Sequence, residues 1–329
     1  MEGIALREPS CEKLDQGYSS QWELMGDLFA WLDLRIYLFY KHHQWLGPKN
    51  EMRNMLGLVV SREEFEHHLA KAAQVGLASQ LDGDETAWAA GSGAAIRARL
   101  ARTQEGFPLL DLFRRCGLDE FGQSCVVFAY AVSLDKKYEK LLAYLQDDIT
   151  QKAPMTTLAV QLFLPPERTV EEYLSRFSRR DAFTGLFDPA RLAAGQLVLQ
   201  GAVLEFLSTG TGAPLPGLRL FDGGVQTPGR PLVVGQDTAR RLDLLLDEPG
   251  ERAVCLTGPP GCGKRFQVEH LMARNRCRCV FVELDCEHRT ERAREGVLVA
   301  RLTGASLCFG HMETRDGEGK PLPPDEGLL

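Results

Sequence analysis

Seven consecutive residues, Gly258-Pro259-Pro260-Gly261-Cys262-Gly263-Lys264, have the types and spacing to hold a phosphate. Their pattern is G-x-x-x-x-G-K, the phosphate-binding loop of nucleoside-triphosphate enzymes. The glycines let backbone N–H groups turn inward around an anion, and a helix starting behind the loop adds its partial positive charge. Lys264 would bring a point charge to the β- and γ-phosphates. The next residue, Arg265, departs from the pattern, which calls for a Ser or Thr hydroxyl on Mg²⁺. A guanidinium has N–H donors, no acceptor and a fixed charge, so it cannot ligate a cation. The loop is therefore expected to hold phosphate, with Mg²⁺ doubtful as a cofactor. The plain alternative is an ordinary tight strand-to-helix turn. The order of strand, loop, lysine and helix argues against it.

The elements that must position the loop can be read on either side of it. Residues 253–257 form a short apolar run suited to a buried strand, and residues 266–273 place Phe266, Val268, Leu271 and Met272 at helical spacing. Residues 279–285 predict a further strand, with Asp285 at its end read as the cap of the next helix. Cys277, Cys279, Cys286 and His288 invite a zinc reading. A strand between Cys279 and Cys286 would hold them about 20 Å apart by its rise per residue, so no metal site is expected. The pairs His42-His43 and His67-His68 fare no better, because adjacent helical residues point about 100° apart.

Length alone predicts about two or three domains for 329 residues. With 44% hydrophobic and 25% charged residues the chain has ordinary globular composition, and a formal charge of -7 disfavours bulk nucleic-acid binding. The longest apolar run, residues 125–132, is far short of a membrane span, and the N-terminus has no basic start or apolar core of a signal peptide. Nine cysteines, an odd count, suit a reducing compartment. A cytoplasmic location is expected.

Residues 1–20 are polar. Residues 21–44 carry Trp22, Met25, Leu28, Phe29, Leu32, Ile36 and Phe39 as a helical stripe, stopped at Gly47-Pro48. Ser61-Arg62-Glu63-Glu64 is a capping box that opens a helix with Phe65, Leu69 and Ala72 on one side. Residues 79–104 are rich in Ala and Gly and read as a domain boundary. Helices are then expected around 107–113, 121–132, 138–145, 156–164 and 170–177. Residues 197–207 read as two short β segments about Gly201. Compact helices followed by a small hairpin describe a winged-helix domain over 105–208. Lys136, Lys137 and Lys140 are offset by Asp135, Glu139, Asp147 and Asp148, which favours protein docking over DNA. Residues 209–230 lack periodicity and read as a linker. Residues 232–237 then lead into a helix through Leu242, Leu244 and Leu245.

From about residue 107 to 315 the chain resembles an AAA+ ATPase. Val233-Val234-Gly235-Gln236-Asp237, a helix and the 258–264 loop are similar to the opening of that module. Leu118-Asp119-Glu120-Phe121, Leu134-Asp135 and residues 144–148 resemble the winged-helix region of one branch, large ATPases encoded beside phage-tail-like contractile injection systems. The resemblance implies an α/β fold: a partial P-loop AAA+ domain over 231–329, preceded by a mainly α, winged-helix-like domain at 105–208, a linker at 209–230 and a helical region at 1–104. It implies ATP or ADP held by Gly258, Pro259, Pro260, Gly261, Cys262, Gly263, Lys264 and Arg265, with Val234 and Gly235 near the adenine. The implied partners are proteins, with contractile-injection-system components among them, and further copies of a longer parent chain. No membrane or nucleic-acid partner is expected.

This chain departs from that family in a second way. Such a module needs an Asp-Glu pair capping the strand at 305–309, and the nearest acids are Glu313 and Asp316. The expectation is a degenerate first module, a fragment or truncated product, weak or inactive as an ATPase by itself, with no catalytic residue assigned. Two further readings stay open. One is a non-catalytic adaptor with a relic loop, in which Arg265 fills the phosphate site with a salt bridge. The other is a nucleotide-gated DNA-binding regulator.

Overall fold

The computed structural model describes residues 14–42, 76–146, 148, 150–211, 217–229, 240, 244, 254–259, 261–284, 288–310, 314–315 and 321–322. The chain divides into two compact units, Met1–Gln200 and Gly201–Leu329. The capping box at 61–64, the second histidine pair, Pro260, residues 232–237 with Val234 and Gly235, Asp285, Cys286, Glu313 and Asp316 lie outside the described residues.

The first unit is built of helices. α1, Gln21–His42, buries Leu24, Met25, Leu32, Ile36, Leu38 and Phe39; of the expected stripe Met25, Leu32, Ile36 and Phe39 are buried, Leu28 and Phe29 are half-buried, and Trp22 is exposed. α2, Gly83–Leu100, packs on α1. It occupies the stretch whose glycines read as a break. Its capping box is complete: the Asp82 carboxylate accepts from the Glu85 N–H at 2.8 Å, and Glu85 accepts from the Asp82 N–H at 3.2 Å. Gly91 is exposed with open space around it, so it weakens the helix by about 1 kcal/mol without breaking it. At the seam, Arg99 is 1% exposed. It donates to Asp27 at 2.9 Å and Glu23 at 2.6 Å, and lies 4.0 Å over the Tyr18 ring.

α3, Pro108–Arg115, α4, Glu120–Leu134, and α5, Lys137–Leu145, follow. α4 is buried from Cys125 through Ala131, as an all-apolar helix should be. α6, Thr156–Phe163, and α7, Val170–Arg176, pack against each other. Three short extended pieces complete this part. Met155 bridges Gln196 and Phe187 bridges Leu199, both antiparallel, so the 196–199 segment lies in the middle. α8, Pro189–Ala193, forms the tip of the hairpin. A helix pair followed by a hairpin that returns to a strand before the pair is a winged-helix arrangement.

The hairpin falls earlier than its sequence signals placed it. Leu197 and Leu199 are in it, but α9, Gly201–Thr209, is a helix rather than a second β segment. Val203, Phe206 and Leu207 are its buried residues, and that three-then-one spacing is helical. A short apolar run cannot be assigned by its composition alone.

In the second unit β1, Leu218–Asp222, runs antiparallel to β2, Arg278–Glu283, which runs parallel to β3, Ser306–Gly310. β1 lies within the stretch read as a linker. Leu218 and Phe221 are its buried positions, too short a run to stand out among glycines. α10, Lys264–Asn275, packs Leu271 and Met272 against Phe221, Cys279 and Phe281 on one face of the sheet. α11, Arg289–Thr303, packs Ala293, Val299 and Ala300 against Leu218, Val280 and Val282 on the other. β2 is buried from Cys279 to Val282, consistent with a central strand covered on both faces. β4, Thr314–Arg315, and β5, Pro321–Leu322, pair antiparallel.

One expected element is missing. Residues 254–257, read as the strand before the loop, are in neither helix nor strand, and Val254 is 49% exposed. A strand needs neighbours to take its N–H and C=O groups. The described three-stranded sheet offers none to this segment.

Candidate functional site

The loop is held by its glycines. Gly258, Gly261 and Gly263 take φ of 150°, 77° and 82°, a region closed to most L-residues. At Gly258 an added Cβ would also stand 2.9 Å from the Cys262 Sγ. Gly263 is the N-cap of α10 and Lys264 its first residue, so the motif's last glycine and lysine sit at a helix N-terminus. The first-turn N–H groups there have no intrahelical acceptor and face the loop's end of the helix.

Lys264 is folded back onto its own loop. Its Nζ donates to the Gly258 carbonyl at 2.7 Å and the Pro259 carbonyl at 3.1 Å, with the Cys262 Sγ at 3.8 Å. These acceptors hold the ammonium at the mouth of the loop. An arriving phosphate would compete for the same charge. Of the predicted ligands, Gly258, Pro259, Gly261, Cys262, Gly263 and Lys264 come together here, Arg265 does not, and Pro260, Val234 and Gly235 lie outside the described residues.

Arg265 leaves the loop and turns to the sheet, where its guanidinium pairs with the Glu283 carboxylate at the end of β2. Four residues along α10, Glu269 pairs with Arg219 of β1. Between the two pairs lies the ring of Phe281, 6.0 Å from the Arg265 Cζ and 4.6 Å from the Arg219 Cζ. The first turns of α10 are thus tied to β1 and β2 by two ion pairs of opposite sense across one aromatic ring. The Glu283 carboxylate also reaches over the end of β3, where an added Cβ at Gly310 would stand 2.8 Å from its Oε2. Sequence reasoning missed both Glu283 and Arg219. An acid at the end of a strand was the available signal, and it was read only at Asp285. Among the described residues no group of three metal-ligating side chains converges.

The winged-helix part has its own surface. Thr169 caps α7, accepting from the Glu172 N–H at 3.3 Å, and the first turn carries Glu171 and Glu172. Arg168 is answered by Glu172 at 3.2 Å. Arg176, at the other end, forks onto Asp119 at 2.8 and 2.9 Å and stacks near Phe121, Tyr173 and Phe183. Burial alone would raise the Asp119 carboxyl, but that fork and the Gly122 N–H hold it below its ordinary range. A groove of about 850 Å³ runs beside α7, lined by Leu164, Arg168, Val170, Glu171, Leu174 and Ser178 among others. Its lining is mainly apolar and includes one charge of each sign, Arg168 and Glu171.

A family model described as a winged helix domain, variant, matches residues 7–184. The match takes in α1 and α2 as well as the helices from α3 to α7. No curated protein and no solved structure matches the chain.

Proposed function

The chain belongs to the variant winged helix domain family, and from that premise we propose that it docks a protein partner under the control of a bound nucleotide. The nucleotide is ATP or ADP, held at the 258–265 loop. The observation that carries this reading is the loop itself: three glycines at positive φ, delivering Lys264 to the start of a twelve-residue helix. Arg265 and the lack of an acidic pair at the end of β3 argue for holding nucleotide rather than hydrolysing it, with Mg²⁺ dispensable. In a longer parent chain, by the AAA+ resemblance, the module would sit in a homo-oligomer acting on components of a contractile injection apparatus in the cytoplasm.

Protein rather than DNA is the proposed partner of the winged-helix part. Glu171 and Glu172 open α7, the helix that packs on α6 ahead of the hairpin, and a phosphate backbone would meet them first. Calorimetric titration of ADP into the full chain tests the nucleotide reading. Saturable heat that disappears in Lys264→Ala supports it, and no heat in either protein refutes it.

The second reading is the adaptor with a relic loop. It draws on the pairing of Arg265 with Glu283 and of Lys264 with its own loop carbonyls, which leaves both cations satisfied without a ligand.

A further inference from the structure

Under α10 two thiols share one face of the sheet. Phe281 of β2 stands opposite Cys308 of β3, and Cys279 opposite Ser306, so Cys279 and Cys308 are diagonal neighbours on the same side. Cys279 belongs to the cluster that α10 closes with Leu271 and Met272, and Cys308 and Cys277 pack against it. They differ in access. Cys279 is 1% exposed, while Cys308, on β3, is partly open to solvent.

The charged groups facing this pair are Arg219 of β1, Arg265 and Glu269 of α10, and Glu283 of β2. Both guanidiniums lie over the ring of Phe281, the residue directly across from Cys308. Glu269 and Glu283 hold them there. We propose that Cys308 is a peroxide-reactive thiol, poised by the Cys279 thiol beside it and by the guanidiniums of Arg265 and Arg219.

The two thiols differ in acidity. Hydrogen bonding from Cys279 holds the Cys308 thiol below its ordinary range; burial opposes this, and Arg265 and Arg219 add to it. Cys279 is pushed up by the same contact and by burial, and so remains the proton donor. In the reaction Cys308 has given its proton to solvent, and its thiolate attacks one oxygen of hydrogen peroxide. The S–O bond forms as the O–O bond breaks, and the departing hydroxide takes up from solvent a proton equal to the one Cys308 released, leaving as water. Sulfur is oxidised to a sulfenic acid and the peroxide is reduced.

Cys279 does not then close a disulfide in place. Diagonal partners on neighbouring strands lie about 7–8 Å apart at Cα, beyond the reach of about 4.4–6.8 Å that a disulfide tolerates. The product is a sulfenic acid that an external thiol reduces.

The full chain, treated with hydrogen peroxide at neutral pH and trapped with a sulfenic-acid-specific carbon nucleophile, is mapped by peptide mass spectrometry. Cys255, exposed in the same unit, is the internal reference. Labelling at Cys308 about tenfold faster than at Cys255 is expected, falling to the reference rate in Cys279→Ala. Arg265→Gln is expected to slow it as well, which keeps the test decisive if the buried alanine disturbs packing. Equal rates at Cys308 and Cys255, rates unchanged in both variants, or a Cys279–Cys308 cross-linked peptide would overturn the proposal.

Discussion

Arg265 pairs with Glu283, joining the residue after the loop lysine to the end of the neighbouring strand. The side chain that stands where the motif calls for a hydroxyl ties α10 to β2. Arg265→Ser restores the hydroxyl and releases Glu283. Both partners are partly exposed, so the lost tie costs roughly 0–1 kcal/mol. The informative change is in cation dependence. ATP should raise the melting temperature of the wild-type chain equally with and without Mg²⁺, and of Arg265→Ser more with Mg²⁺ than without. The same shift in both conditions for the variant would show that Arg265 does not decide cation use.

Arg99 should be the most sensitive ion-pair position in the first unit. It is buried between α1 and α2 on Asp27 and Glu23, and the Tyr18 hydroxyl donates to Asp27 at 3.0 Å. Removing one partner of a buried pair leaves the other charge uncompensated, at about 3–5 kcal/mol. In urea, Arg99→Met should move the midpoint down with little change in slope. The double variant Arg99→Met with Asp27→Leu should recover part of the loss.

Acid should loosen the same seam. Glu85 accepts from Lys41 and His42 and closes the α2 capping box, and these contacts hold its carboxyl at about 2 against an ordinary 4.5, with burial opposing. A folded-state value below the unfolded one means stability present above about pH 4.5 and lost as pH falls toward 2. Glu85→Gln should therefore lose stability at neutral pH and show a flatter decline across that window. Chemical denaturation at several pH values measures both effects.

These elements also show what was legible beforehand. α1, α4, α10 and β2 follow from long or strongly periodic apolar patterns. α2 was hidden by Gly91 and Gly93, which interrupt a pattern that alanine and a capping box sustain. β1 was hidden because five residues with two clearly buried positions do not establish a period. At the candidate site the loop and Lys264 were visible because they are contiguous. Glu283 lies 18 residues after Arg265, and Arg219 lies 46 before it. Their pairing is a property of the sheet register, which sequence spacing does not encode.

The winged-helix surface should not bind DNA in the usual way. Fluorescence anisotropy with a labelled duplex should show no saturable binding at moderate salt, because Glu171 and Glu172 open α7 and Arg176 is committed to Asp119. Tight binding that weakens steeply with added salt would instead support the DNA-regulator reading.

The most direct test of the account is a thermal melt of the full chain against rising ADP and ATP, beside Lys264→Ala. A ligand that binds only the folded chain raises its melting temperature. The account predicts a rise that saturates in the wild-type chain and disappears without the Lys264 ammonium. No rise at any concentration, or the same rise in both proteins, would contradict nucleotide binding at this loop.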